Sequence, residues 1–437
     1  MEYKETLSYL LGLGHETLAI KLGLKNTELL LEALGNPHHS FASVQIAGTN
    51  GKGSTAAMLD SICRQAGIRT GLFSSPHLVS ITERIRIAAV DISARQFASL
   101  ATQVRGAAES LIEQGKLQAL PTFFEHVTAI ALLAFKEAGV ELAILETGLG
   151  GRLDATTVAS ARVVAITRIA LDHQEYLGAT LAEIAAEKAA IIRSRTIAII
   201  AAQEEEANDV IRQRAAESEV EPLMADYETS IEAATVEGRF TVTLQTKEDR
   251  YQSLNIGLRG RHQIENAATA IRIAESLRQQ GWKIPQAKIV AGIESVRHAG
   301  RLELLDGYLL DGAHNPSAAQ TLRSYLDEFV SVPLTLVFGA MRDKNLEAMA
   351  AILFPAAARL VLTQPDNPRS ASAEELQEIA AAIGTPGVSV THSVREALTK
   401  ADEVTSSPGL ICITGSLYLL GEAKAIMNTS ALTAEHS

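Results

Sequence analysis

The sequence alternates between short, continuous apolar runs and longer Ala-rich segments with helical periodicity. Runs of this kind in the first half of the chain are Val44–Ala47, Glu141–Glu146, Arg162–Ile169 and Thr196–Ala201. A continuous apolar run is typical of a strand buried on both faces, as in parallel sheets covered by helices. The pattern therefore predicts an α/β fold built from βαβ units, with ligands bound beyond the carboxyl ends of the strands.

A second series of runs follows in the last third of the chain, at Leu334–Gly339, Arg359–Thr363, Val388–Thr391 and Leu410–Gly415. Between the two series, Arg239–Gln245 alternates apolar and polar residues, which predicts a small antiparallel patch near residues 227–258. We place a domain boundary at Val296–Gly300. The prediction is a domain of residues 1–296 with a mostly parallel sheet like that of phosphate-loop NTPases, and a smaller Rossmann-like α/β domain of residues 297–437.

The formal net charge of −12 argues against a protein that binds nucleic acids or acidic membranes, for which a basic surface is expected. Cys63 and Cys412 lie in apolar segments, which predicts two buried free thiols in a reducing compartment. The N-terminal segment MEYKETLSYL lacks the basic stretch and apolar core of a secretory signal. We therefore expect a cytoplasmic monomer whose partners are small molecules.

A glycine-rich segment, GTNGKGST at residues 48–55, follows the first apolar run and precedes a predicted helix. Backbone N–H groups of such a loop, with the partial positive charge of the helix N-terminus, bind phosphate. Lys52 is placed for the β- and γ-phosphates of ATP, and a hydroxyl of Ser54 or Thr55 for magnesium. The match to the usual phosphate loop is imperfect, because Ile46 stands at the first glycine position and Gly53 at the Ser/Thr position. A plain glycine-rich turn is the alternative. The candidate ATP-binding residues are Gly48, Thr49, Asn50, Gly51, Lys52, Gly53, Ser54 and Thr55.

The run GTNGKGS resembles the phosphate loop of the Mur ligase superfamily, and the glycine after Lys52 resembles its folylpolyglutamate synthase/dihydrofolate synthase branch. Other segments resemble motifs of that branch in the same order: FSSPHL at 73–78, ETGLGGRLDA at 146–155, LDH at 171–173 with AEK at 186–188, RLE at 301–303 with LDGAHNP at 310–316, NPRS at 367–370 and TGS at 414–416. The resemblance extends from Thr49 to Ser416. Two small departures are Thr157 in place of Asn and Ala190 in place of Gly.

The resemblance implies two magnesium ions, with Ser75, Glu146 and His173 as ligands in addition to Ser54. The residues themselves support Glu146 most, because it ends an apolar run and oxygen ligands suit Mg²⁺. A helix-capping or salt-bridged Glu is the alternative. Imidazole suits Mg²⁺ poorly, so residue type alone favours a loop or capping histidine at position 173.

Lys188 lies in the amphipathic segment LAEIAAEKAAII, where an exposed lysine paired with a nearby Glu is the ordinary interpretation. The resemblance implies instead a carbamylated lysine. A carbamate forms on a neutral amine, so burial would have to lower the pKa of Lys188. Lys52, Lys188 and His173 are thus the candidate catalytic residues.

The resemblance also implies binding roles in the second half of the chain and around the acceptor. On the nucleotide side these residues are Asn266 for adenine, Arg301 for phosphate, Asp311 for the ribose, and His314. On the side of the acceptor acid they are Thr122, Phe124, Asp154 and Ala155. Phe124 is placed to stack on a pterin ring, although two adjacent Phe residues more often belong to a core.

The resemblance therefore implies an ATP-dependent ligase that adds glutamate to dihydropteroate, to reduced folates or to both. The acceptor carboxylate would attack the γ-phosphate of ATP, and the glutamate amine would attack the resulting acyl phosphate. Two alternatives remain, namely another Mur-type amino-acid ligase and a phosphate-loop NTPase switch without an acyl acceptor. ATP hydrolysis that requires both a pteroate-type acid and glutamate would distinguish the ligase from the switch.

Overall fold

The computed structural model describes residues 1–14 and 23–434. We call residues 1–296 the N-terminal region. Its helices are α1 (Tyr3–Gly12), α2 (Lys25–Ala33), α3 (Lys52–Gln65), α4 (Ala94–Glu113), α5 (Phe123–Glu137), α6 (Gln174–Leu177), α7 (Leu181–Ala189), α8 (Glu205–Glu217), α9 (His262–Gln279) and α10 (Gln286–Ser295). Its strands are β1 (Ala42–Ala47), β2 (Thr70–Phe73), β3 (Ile85–Ile87), β4 (Val90–Asp91), β5 (Leu142–Glu146), β6 (Val163–Ile166), β7 (Ile197–Ile200), β8 (Leu223–Met224), β9 (Glu228–Ala234), β10 (Phe240–Gln245) and β11 (Arg250–Asn255).

Strand β1 lies inside an eight-stranded sheet which, within the described residues, has the order β4-β3-β2-β5-β1-β6-β7-β8. The six strands β2-β5-β1-β6-β7-β8, which are neighbours in this order, are all parallel. Strands β3 and β4 extend the sheet beyond β2 with antiparallel pairing. The prediction of a mostly parallel sheet is confirmed. Because β5, β1 and β6 are adjacent and parallel, the segments that follow them meet at one edge of the sheet.

Helices cover both faces of this sheet. Residues of α3, α9 and α10 form one core cluster with Val44, Ile46 and Ile144, and residues of α4 and α5 form another with Ala143 and Leu145. Successive strand residues thus point to opposite cores, which explains why the runs are apolar throughout. The predicted antiparallel patch is a three-stranded sheet of order β11-β10-β9, whose inner face joins the α9 cluster.

The C-terminal region, residues 297–437, contains a second α/β unit. Its helices are α11 (Pro316–Phe329), α12 (Leu346–Leu353), α13 (Ala373–Ile383), α14 (Val394–Val404) and α15 (Leu417–Ala434). Its strands are β12 (Glu303–Leu305), β13 (Tyr308–Leu310), β14 (Leu334–Phe338), β15 (Arg359–Leu362), β16 (Val388–Val390) and β17 (Leu410–Thr414). They form a sheet of order β12-β13-β17-β14-β15-β16, parallel except for β12, which confirms the predicted smaller α/β unit.

Leu78 of the N-terminal region inserts into the C-terminal region. Its side chain packs against the apolar cluster that contains Leu419 and Leu420 of α15. Its backbone carbonyl lies so close to Gly421 that a Cβ on that glycine would overlap the Leu78 oxygen. The loop of residues 74–79 is therefore supported by both regions.

Two expectations from composition have structural counterparts. Cys63 and Cys412 are both buried free thiols, as predicted. None of the described helices combines the length and apolar character that crossing a lipid bilayer requires.

Candidate active site

A cavity of about 720 Å³ lies between the two regions, beyond the carboxyl ends of β5, β1 and β6. The predicted site residues that line it are Gly48, Thr49, Asn50, Gly51, Lys52, Gly53, Ser54, Ser75, Thr122, Phe124, Glu146, Asp154, Ala155, His173, Lys188, Asn266, Arg301, Asp311 and His314. Thr55 is the exception among the predicted residues, because it lies fully buried in α3 and does not line the cavity. Of the two hydroxyls considered for magnesium, only that of Ser54 faces this space.

The glycine-rich loop connects β1 to the N-terminus of α3. Since α3 begins at Lys52, the N–H groups of its first turn have no partner within the helix. The Lys52 ammonium folds back over the loop, with its Nζ 3.1 Å from the carbonyl oxygen of Gly48 and 3.3 Å from that of Thr49. Free amides, a helix N-terminus and an ammonium group thus converge, which is the arrangement expected of a phosphate site.

Lys188 reaches the same loop from α7. Its Nζ donates to the carbonyl oxygen of Gly48 at 2.8 Å, and the residue is only 4% exposed. The interpretation as an exposed, ion-paired helix lysine is therefore wrong. Burial, together with the nearby charge of Lys52, lowers the pKa of Lys188 to about 7. A large fraction of this amine is neutral at neutral pH, which is the condition for carbamate formation.

Glu146 ends β5 and is buried, with its Oε2 3.4 Å from the backbone N of Ser75. Burial raises the pKa of Glu146, and the positive charges of Lys52 and Arg301 oppose that rise. The Arg301 guanidinium packs against Gly312, in the segment that follows β13. A carboxylate and two cations from different elements therefore face one space.

His173 follows β6 and lies beside two residues that the sequence analysis did not single out. Its Nε2 is 3.2 Å from Nζ of Lys344, which also donates to Asp172 at 2.6 Å. Burial lowers the pKa of His173 to about 4, so its imidazole is neutral at pH 7. Burial alone would raise the pKa of Asp172, but the neighbouring His314 and Lys344 outweigh it and lower that pKa. Lys344 thus joins the C-terminal region to the N-terminal region through a nearly buried ion pair.

The described side chains supply only part of the set of ligands that a metal ion needs. Within the described residues, no group of three or more His, Cys, Asp or Glu side chains is placed to hold a metal ion. The buried Nδ1 of His173 nevertheless has no hydrogen-bond partner among those residues, and Glu146 accepts one long hydrogen bond from Ser75. Mg²⁺ commonly takes one or two carboxylates together with water and substrate phosphates. These residues fit metal ions that bind together with a nucleotide.

The nucleotide-side residues lie at the junction of the two regions. Asn266 of α9 packs against Gly51 of the glycine-rich loop. Asp311 accepts hydrogen bonds from the backbone N of Leu302 and of Ala313, each at 3.0 Å, and so fixes the segment that carries Arg301. His314 Nδ1 lies 2.7 Å from the carbonyl oxygen of Gly312, and burial lowers the pKa of this histidine to about 4.

His298, on the segment that links the two regions, explains the unusual glycine after Lys52. A Cβ on Gly53 would lie 2.9 Å from Cε1 of His298, and Nδ1 of this histidine is 3.5 Å from Oγ of Ser54. The sequence analysis missed His298, since it belongs to no recognised pattern. A β-carbon at position 53 would have to displace either the imidazole or the first turn of α3.

Gly53→Ser, which restores the usual residue of a phosphate loop, is therefore expected to lower kcat/KM for ATP by about tenfold to a hundredfold through misplacement of the loop. Steady-state kinetics with ATP as the varied substrate measure the effect. The double variant with His298→Ala provides the space and should recover most of the loss. A single variant as active as the parent would contradict this explanation.

Phe124 forms one wall of the acceptor side. Its ring lies so close to Gly148 that a Cβ on this glycine would be 2.5 Å from Cζ of Phe124. The centroids of the Phe124 and Phe73 rings are 5.8 Å apart. Thr122 is the N-cap of α5 and its hydroxyl accepts from the backbone N of Glu125, which fixes where the helix begins. Phe124 thus lines the cavity between Gly148 and Phe73 at the start of α5.

Asp154 lines the cavity beside Phe124 and is hydrogen bonded within its own loop. Its carboxylate accepts from the backbone N of Gly148, Leu149 and Thr156 and from the Thr156 hydroxyl. A carboxylate offers about four lone-pair sites, so these bonds use its capacity. Asp154 therefore holds the loop of residues 147–154 in shape, and Ala155 follows it at the start of a 3₁₀ turn, Ala155–Ala159.

Comparison with known proteins gives matches along almost the whole chain. Residues 46–274 match the Mur ligase middle domain, and residues 300–417 match the glutamate ligase domain of Mur ligases. The chain is 32% identical over 421 residues to the dihydrofolate synthase/folylpolyglutamate synthase of Bacillus subtilis, covering 94% of this chain and 96% of that protein. It is 34% identical to a probable bifunctional folylpolyglutamate synthase/dihydropteroate synthase of Haloferax volcanii. It covers 52% of that protein and 51% of a like-named one from Halobacterium salinarum, so it spans about half the length of these two relatives.

Solved structures agree with these matches. A folylpolyglutamate synthase of Mycobacterium tuberculosis, complexed with ADP and AMPPCP, superposes with a TM-score of 0.88 at 31% identity, covering 97% of this chain and 99% of that one. FolC of E. coli, in complex with DHPP and ADP, gives a TM-score of 0.87 at 29% identity and covers 99% of both chains. Sequence and structure together show that this chain belongs to the Mur ligases, and within them to the folylpolyglutamate synthase/dihydrofolate synthase family.

Proposed function

We propose that this protein is an ATP-dependent ligase that adds L-glutamate to dihydropteroate, to reduced folates or to both, through an acyl phosphate. The observation that carries the proposal is the convergence of Lys52, Lys188, Arg301 and Glu146 on one cavity between the two regions. The relatives support it, because homologous structures were solved with ADP and DHPP and with Mn, AMPPNP and L-glutamate.

The first step would be attack of the acceptor carboxylate on the γ-phosphate. Both groups are anions, so positive charge placed before the reaction lowers the barrier. Lys52 and the N–H groups of the first turn of α3 would bind the phosphates, and Arg301 would approach them from the C-terminal region. Divalent metal ions, two magnesium ions in this proposal, would add positive charge at the phosphates. The residues that would hold them are Ser54, Ser75, Glu146 and His173.

The acceptor would lie against Phe124, in a space whose shape is maintained by the Asp154 loop. We assign Asp154 this positioning role, since its oxygens are already hydrogen bonded within the loop. Lys344 and Arg369 line the cavity from the C-terminal region, where they pair with Asp172 and Asp343. They would also face the carboxylates of glutamate. An acyl phosphate must be protected from water. Closure of domains 1–296 and 297–437 about the Val296–Gly300 segment would provide that protection.

We further propose that Lys188 is carbamylated in the active enzyme. Because its pKa is about 7, the neutral fraction of the amine, which reacts with CO₂, increases as the pH rises through 7 and falls to about one tenth at pH 6. Incubation with ¹³C-bicarbonate should give one carbamate signal by NMR, whose intensity rises from pH 6 to pH 8 and which Lys188→Ala removes. That variant should lose about 100-fold in kcat, with partial rescue by a short carboxylic acid. The exposed Lys288 is the matched control and keeps the signal when replaced. Full activity with unmodified Lys188 would exclude the carbamate.

Product analysis tests the function itself. Purified protein should form ADP only when ATP, glutamate and either dihydropteroate or a reduced folate are all present, and mass spectrometry should show one added glutamyl group. Parallel reactions with the two acceptors decide between one and two activities. ATP hydrolysis without any acceptor would favour an NTPase switch, and turnover restricted to a cell-wall precursor would favour another Mur-type ligase. Light scattering tests our expectation of a monomer.

A further inference from the structure

The cavity continues from the glycine-rich loop to a space between α9 and α11. Its wall there consists of His262, Glu265, Ser317, Thr321 and Ser324. Arg261, just before α9, forms a double hydrogen bond with Glu328 of α11, with both distances 2.7 Å, and so connects the two helices. The acceptor side is formed by other elements, α5 and the segment after β5. A nucleotide whose phosphates lie on the loop would therefore extend its base toward the α9–α11 space.

Glu265 has an unusual environment in that space. Its Oε1 is buried and has no hydrogen-bond partner among the described residues. Arg168 is close enough to oppose the rise that burial causes in the pKa of Glu265, but its guanidinium donates to Glu204 at 2.8 Å. A buried carboxylate oxygen without a donor is costly, and such groups are nearly always satisfied in native proteins. Glu265 is only partly buried and lines the cavity, so the missing donor is water or a group of a ligand that enters this space.

We propose that Glu265 determines the nucleobase specificity of the site by accepting a hydrogen bond from the exocyclic amino group of adenine. The neighbouring residue on α9, Asn266, packs against the glycine-rich loop, so Glu265 lies one residue from a group already assigned to the nucleotide. Guanine presents a carbonyl oxygen at the same ring position. Two acceptors would then face each other in a buried space, and GTP would bind weakly. The inference rests on the proposed binding of ATP in this cavity.

Calorimetric titration of the full chain with magnesium ATP and magnesium GTP, in the absence of any acceptor, tests this role. The parent protein should bind ATP at least about tenfold more tightly than GTP, as expected when one ligand leaves a buried polar group unpaired. Glu265→Gln should reduce this preference by about tenfold, because the amide can rotate its N–H₂ toward the guanine oxygen. Glu265→Ala should weaken ATP binding, with thermal unfolding used to check the fold. The exposed Glu378→Gln is the matched control and should retain the parent ratio.

The result that would overturn the inference is an ATP-to-GTP ratio that Glu265→Gln leaves within twofold of the parent, or a parent protein without any preference. Because no acceptor is present, the titration measures nucleotide binding alone, and its result can be distinguished from the result of the product analysis that tests the proposed function. A chain that prefers ATP through Glu265 but forms no glutamyl product contradicts the ligase assignment alone. A chain that ligates glutamate equally well with ATP and GTP contradicts the role of Glu265 alone.

Discussion

Replacement of Lys52 by Met is expected to lower kcat/KM for ATP-dependent ligation by roughly 10³-fold, because it removes a preorganised positive charge from the phosphoryl group in transit. Lys52 is held over its own loop by the carbonyl oxygens of Gly48 and Thr49, so little reorganisation is needed when phosphate arrives. Burial lowers the pKa of Lys52, because the charged form is desolvated. Steady-state rates of ADP formation with acceptor and glutamate present measure the loss.

The thermal unfolding of this variant separates a catalytic role from a structural one. Loss of a desolvated ammonium should leave Tm unchanged or higher in the absence of ligands. Added ATP should raise the Tm of the parent and fail to raise that of Lys52→Met to the same extent. Lys288→Met, at an exposed position of α10, is the matched control and should behave as the parent. Activity within tenfold of the parent would contradict the phosphate-binding role of Lys52.

Glu146→Gln is expected to reduce kcat by roughly 10²- to 10³-fold, and to raise the magnesium concentration needed for half-maximal rate. The substitution keeps the size of the side chain but removes the charge that Lys52 and Arg301 face. Without the negative charge of Glu146, the repulsion between these two cations and a metal ion is no longer offset. Rates measured across a magnesium titration, and repeated with manganese, show whether the deficit lies in metal binding or in the chemical step.

The pH dependence of the parent enzyme provides a second measurement on Glu146. Burial raises the pKa of this carboxyl group, so a step that needs the carboxylate is lost on acidification earlier than for an ordinary glutamate. The same pKa rise has the opposite effect on stability, which falls rather than rises as the carboxylate forms. The folded protein binds the proton more tightly than the unfolded chain, so Glu146 lowers stability as the pH rises from the unfolded to the folded pKa. Glu146→Gln should therefore have a Tm at neutral pH equal to or above that of the parent. In the magnesium titration described above, an unaltered magnesium dependence of this variant would argue against metal ligation by Glu146.

The strands that the sequence predicted best are those buried on both faces. β5, β6, β7, β14, β15 and β17 each coincide with a continuous apolar run to within a few residues. By contrast, β2 (Thr70–Phe73) was missed, because it is four residues long and contains a glycine that packs against the ring of Phe135. The strands β3 and β4, next to and at one edge of the sheet, have three and two residues, and most of these are not buried, so they carry no comparable pattern.

The candidate site was predictable from the residues themselves where they lie at the end of a buried strand or directly after it. Glu146 and the glycine-rich loop were found in this way. His173 lies further from the end of β6, and its role was implied by the family resemblance, since residue type alone favoured a loop or capping histidine. Lys344, in the segment after β14, was missed. Glu265 and His298 could not be found in this way, since their significance depends on which helix or loop the fold brings beside them. For Asp154, the sequence does not show that its carboxylate accepts hydrogen bonds within its own loop, so the positioning role that we propose could not be inferred from it.

The insertion of Leu78 beneath Gly421 has a consequence for protein engineering. Chimeras that exchange the C-terminal half between relatives keep this joint only if the incoming helix also lacks a side chain at the corresponding position. An incoming half with alanine there would hold the Ser75 loop of the recipient half at a distance even if each half folded correctly. Compatibility at this one helix position is thus a criterion for choosing crossover partners.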